Sequence, residues 1–168
     1  MLPPATNIGQ LYRAAADVAV DRSHDARDGG LVLVRIPPLW LRDPRGGAGL
    51  LRWVLLFSSS DRRDLLETYG IAKLLAASVP ETRVGVTIHG ARRAGEAEGA
   101  FSQLADVASR RLGSALTSYG LLVDDLHVYR AIVAGRPIGM VHPQSPASRC
   151  MQDVAQMLLD DAREVAHG

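Results

Sequence analysis

Short apolar runs alternate along this chain with stretches in which apolar residues recur every three or four positions. That alternation is the pattern of an α/β domain with parallel strands. Four runs have strand length and composition: Leu31 to Ile36, Trp53 to Ser58, Arg83 to His89 and Tyr119 to Val123. Their content of Val, Ile and Leu suits strands covered on both faces, and their spacing leaves room for helical crossovers.

Between and after them the helical period takes over. A helix is expected from about Ser60-Asp61, either of which offers a capping oxygen, to Ser78-Val79-Pro80. Another, from Glu96 to Leu112, sets Phe101, Leu104, Ala108 and Leu112 on one stripe and has Gly113 to end it. A last helix opens at Ser145-Pro146, with Ala147, Met151, Val154, Leu158 and Val165 as its buried face. Ahead of the first strand, Thr6 to Val20 reads as a helix with Ile8, Leu11, Ala15 and Val18 on one side. The expected division is therefore an N-terminal helix and loop over 1–30 and a single α/β domain over 31–168. Pro37 to Gly49, rich in Pro, Gly and Arg, is an irregular excursion within it.

Composition narrows the function classes. Of 168 residues, 19 Lys plus Arg face 18 Asp plus Glu, so no basic coat for nucleic acid is present, and nucleic acid is not an expected partner. Aromatic residues make up 5%, too few for a base-stacking platform. Cys150 is the sole cysteine and His24, His89, His127, His142 and His167 are scattered, so neither a disulfide nor a metal site is expected. No apolar run approaches the ~20 residues of a membrane span. The opening Met1-Leu2-Pro3-Pro4 has no basic start or apolar region of an export signal, which makes the cytoplasm the expected location, with any recruitment to the inner membrane or cell pole made through partners.

Candidate chemistry is sparse. Arg45-Gly46-Gly47-Ala48-Gly49 is a glycine cluster without the strand, helix and Lys-Ser/Thr pair of a phosphate loop. The basic residues are 18 arginines and Lys73, which sits inside a helix. Ser58-Ser59-Ser60 lacks the glycines of a nucleophile elbow. His89 ends a strand, where parallel sheets bind ligands. Asp124-Asp125 reads first as a cap for the helix containing Tyr129 and Ile132.

The succession of segments resembles the MinD/ParA family of deviant-Walker ATPases, most closely its FlhG/FleN branch, which places and counts flagella. Leu31 to Pro38 is similar to the family's switch II strand, which normally ends Asp-Thr-Pro-Pro. Trp53 to Asp61, running into Thr68 to Leu75, is similar to the next strand and helix. Arg83 to Gly90 takes the place of the strand whose Asn reads adenine. Leu121 to Asp125, Val128, Arg130-Ala131, Gly135-Arg136-Pro137 and Pro143 to Ala147 follow the pattern LGxVPYDPAVRRAVRAGRPV and then YPDSPAA.

The resemblance implies a truncated P-loop NTPase scaffold: a three-layer, mostly parallel sheet with helices on both faces. The departures from the family imply that its chemistry is gone. The Lys-Gly-Gly-x-Gly-Lys-Thr loop is missing, Arg35 stands at the switch II aspartate, and His89 replaces the adenine-reading Asn. Phosphoryl transfer needs loop amides, lysine and magnesium, so the expectation is a pseudo-ATPase with no cofactor. Arg35, His89 and Asp125 would mark a vestigial nucleotide pocket. The expected role is protein contact, with a partner or a second copy, in assembling or positioning a bacterial envelope machine such as a flagellum, pilus, secretion or cellulose-synthesis apparatus. A residual nucleotide-binding regulator is the alternative, and nonspecific DNA binding a weaker one. Loss of the phosphate-loop strand would also leave a pairing gap between Leu31 to Ile36 and Trp53 to Ser58.

Overall fold

The computed structural model describes residues 5–23 and 31–167. Three parallel strands, β1 (Trp53–Ser59), β2 (Arg83–Ala91) and β3 (Leu116–Val123), form a sheet in that spatial order. Helices α2 (Arg62–Ser78) and α3 (Ala94–Leu112) make the crossovers. Two right-handed crossovers stepping in one direction put both helices on one face. Leu56, Val86, Ile88, Leu104 and Ala100 form the core there.

Alternation along the strands sends Trp53, Leu55 and Tyr119 to the opposite face. They meet Val154, Met157 and Leu158 of α6 (Pro146–His167). Two short helices, α4 (Leu126–Val133) and α5 (Ile138–Val141), connect β3 to α6, and Ala131, Ile138 and Ala147 are buried where the three meet. The N-terminal helix α1 (Ile8–Ser23) is anchored by Ile8, which is buried with Leu41, Leu51, Leu75 and Val84.

Expectation and structure part company at Leu31 to Ile36, which is not a strand. A run of apolar residues becomes a strand only where a neighbouring edge completes its hydrogen-bond ladder. Here no described strand flanks this run, and Leu31, Val32 and Leu33 are exposed. The sheet thus has three strands, and the outer edge of β1 is unpaired among the described residues. The other runs hold, with β1 and β2 longer by one and two residues and β3 starting three residues earlier, at Leu116.

Of the face expected on α6, Ala147, Val154 and Leu158 are buried, whereas Met151 is 40% exposed because α6 meets the sheet further along, through Val154, Met157 and Leu158. The side chain of Val165, like residues 24–30 of the expected loop, lies outside the described residues. Pro37 to Gly49 is irregular, as expected, with 3-10 turns at Pro38–Arg42 and Ala48–Leu51. Its glycines serve packing: a Cβ on Gly47 would lie 2.7 Å from Ile8, and one on Gly49 would lie 2.9 Å from Tyr12. Close approach of α1, not phosphate, explains that cluster.

Candidate functional site

The carboxyl ends of parallel strands are where ligands of open α/β sheets bind. In this molecule that edge is laced by its own side chains. After β1, Ser59 Oγ accepts the Asp61 amide at 3.1 Å and donates to Asp64 Oδ2 at 2.6 Å. Ser60 Oγ donates to Glu96 Oε1 at 2.6 Å, while Glu96 Oε2 accepts the Arg92 amide at 3.1 Å. The loops after β1 and β2 are joined through Glu96, and these bonds, the Ser60 one first, lower its carboxyl pKa. The capping expected of Ser60 or Asp61 is not found: Asp61 holds the N-cap position of α2 without a side-chain cap bond, because Ser59 and Ser60 are turned to Asp64 and Glu96.

After β3, Asp125 does the equivalent work. Its Oδ1 accepts the His127 amide at 2.9 Å and meets His127 Nδ1 at 2.8 Å, and its Oδ2 accepts the Ala147 amide at 3.1 Å. One carboxylate therefore caps α4 and also satisfies an amide in the first turn of α6. Those bonds to the His127 and Ala147 amides hold its pKa at about 2, and its side chain is only 7% exposed. The reading of Asp125 as a helix cap is the one its contacts support.

Of the three residues expected to mark an old nucleotide pocket, His89 and Asp125 lie at this edge, one near the end of β2 and the other two residues past β3. His89 is exposed and Asp125 is committed to amides. Arg35 is exposed on the run that leads through Ile36 into the cluster containing Ile8, Leu75 and Val84. Val84 is five residues before His89 on β2, about 16 Å away at the rise of a strand. No described hydrogen bond or ion pair joins the three residues.

Sequence reasoning did not anticipate the meeting of His127 and His142. Their rings are 4.5 Å apart and edge-on, and with Pro143, Gln144, Ser145 and Pro146 they line a surface hollow of about 330 Å³. They are 15 residues apart, and only the fold-back of α4 and α5 brings them together. With Asp125 ionised, the Nδ1 hydrogen of His127 points to it. Among the described residues, no group of three or more His, Cys, Asp or Glu is placed to hold a metal ion.

No protein-family model matches the chain, and no curated protein matches it significantly. The fold and the residues at its edge are what bear on function. Among the described residues no helix is long and apolar enough to cross a membrane.

Proposed function

We propose that the chain is a non-catalytic relative of MinD and FlhG, with a scaffold like that of P-loop NTPases, that acts by protein contact. Its role would be to assemble or position an envelope machine such as a flagellum, pilus, secretion or cellulose-synthesis apparatus. The observation that carries this reading is the state of the carboxyl edge of the sheet. A triphosphate needs free backbone amides and cations. At this edge Asp64, Glu96 and Asp125 hold amides and hydroxyls of the loops, so these groups are taken, and the cations present, Arg62, Arg63, Arg92 and Arg93, stand there without a phosphate loop.

Lys73 gives no substitute, being exposed in the second half of α2, toward the other end of the sheet. By the resemblance, Arg35 stands at the switch II aspartate, where its charge would oppose magnesium. The outer edge of β1, unpaired among the described residues, and the exposed apolar residues Leu31 to Leu33 support a role in which another chain completes the structure.

The test is a titration of the purified protein with labelled ATP, with and without magnesium, alongside a turnover assay. No saturable binding and no phosphate release are expected. Micromolar binding abolished by Arg35→Ala would replace this reading with a nucleotide-dependent regulator, and turnover would end it. On the positive side, in-cell cross-linking through a photoreactive residue at Leu33 should give one defined protein adduct. Adducts spread over abundant proteins would count against a dedicated contact.

A further inference from the structure

Helix α4 turns its apolar residues outward. At 100° per residue, Leu126, Tyr129, Ile132 and Val133 fall within an arc of about 120°. All four are exposed, Ile132 and Val133 by 70% and 75%. Ala131, on the other side, is the buried contact with α5 and α6. Met140 on α5 adds another exposed apolar side chain to the same hairpin. The helix is thus amphipathic in reverse, resting on a small residue and offering its large ones to the surroundings.

The charge of this region is one-sided. From 126 to 152 there is no Asp or Glu, while Arg130, Arg136 and Arg149 are present and exposed. The nearest carboxylates in sequence are Asp124, which is exposed, Asp125, whose oxygens are turned onto the amides of His127 and Ala147, and Asp153, which is exposed on α6 one turn past Arg149. The acidic residues Asp160, Asp161 and Glu164 lie at the other end of α6. Asp153 stands one helical turn from Arg149, so Arg130 and Arg136 carry the positive charge of the hairpin.

We propose that the α4–α5 hairpin docks on an anionic lipid surface, with Leu126, Tyr129, Ile132 and Val133 entering the headgroup boundary and Arg130 and Arg136 meeting lipid phosphates. A bilayer requires no complementary groove, only protruding apolar side chains with cations beside them. A second copy of the chain fits less well, because a two-fold pairing of this face brings arginines together with no carboxylate on the face to meet them. The inference is independent of the proposed loss of nucleotide chemistry and adds a direct contact to whatever protein partner the chain has.

The test is flotation of the full chain with phosphatidylcholine vesicles containing phosphatidylglycerol at roughly one part in three, against phosphatidylcholine alone. The protein should float with the anionic vesicles, stay behind with the neutral ones, and lose binding as salt is raised. Ile132→Asp with Val133→Asp should abolish flotation while circular dichroism shows the fold intact, since both side chains are mostly in solvent. Arg130→Gln with Arg136→Gln, a gentler pair, should weaken binding about 30-fold, from the attraction of two basic residues to an anionic leaflet. Absence of flotation at low salt would overturn the proposal, and so would binding that both double variants leave unchanged. Dimerisation through α4 without flotation would overturn it in favour of a protein contact.

Discussion

Gly85, the third residue of β2, has no room for a side chain. A Cβ there would lie 2.1 Å from Cε2 of Tyr119, whose ring covers it. Gly85→Ala is therefore expected to destabilise the protein by about 1–3 kcal/mol, the usual cost of overfilling a core, read by urea denaturation. Two residues on, Thr87 goes the other way. It is fully buried and its Oγ1 has no hydrogen-bond partner among the described residues. Thr87→Val keeps the shape and removes the unsatisfied hydroxyl, so a gain of about 1 kcal/mol is expected by the same measurement. Neither position was legible in the sequence. A glycine and a threonine inside Val-Gly-Val-Thr-Ile look like ordinary strand residues until the ring from β3 and the covering helix are in place.

Helices α4 and α6 depend on their first turns. Ser145 Oγ accepts the Ser148 amide at 3.2 Å, and Asp125 caps α4 while holding the Ala147 amide. Ser145→Ala should cost about 1 kcal/mol, measured as a lowered urea midpoint. Asp125 adds a pH signature. Its folded pKa of about 2 lies below the ordinary value of 3.8, so its stabilising contribution is present above pH 4 and lost as pH falls from about 4 to 2. Asp125→Asn should lower the melting temperature by several degrees at neutral pH and flatten the acid limb over that window. The caps at Asp125 and Ser145 and the Gly113 terminus of α3, which takes a φ of 63°, were readable because capping is local chemistry. The run Leu31 to Ile36 was misread because a strand is not local: its apolar residues carry the pattern, but no described strand supplies the ladder. The His127–His142 contact was invisible for a related reason, since neither spacing nor residue type announces that α4 and α5 fold back on each other.

Across the whole molecule, ligand linkage gives the broadest check. A site with micromolar affinity would stabilise the protein by about 4 kcal/mol at millimolar ATP. With the carboxyl edge occupied by Asp64, Glu96 and Asp125, magnesium-ATP is expected to leave the thermal midpoint unchanged in a melting scan. The α/β class and the crossover helices could be read from the chain because the alternation of apolar runs and helical stripes is a property of the full sequence. The candidate site could not, because Arg35, His89 and Asp125 were linked only by a resemblance, and Asp125 is engaged with the His127 and Ala147 amides.

Trp53 on β1 donates from Nε1 to the Tyr119 hydroxyl at 3.1 Å, and that hydroxyl donates in turn to Asp161 on α6. Burial first, then the bond to Asp161, raises the Tyr119 pKa to about 12. The indole is thereby wired to the far end of the last helix through one phenol. With Trp40 replaced by Phe, the emission of Trp53 becomes an optical gauge of whether α6 is seated, separable from helix content, and it should redshift first when alkali strips the phenol's proton.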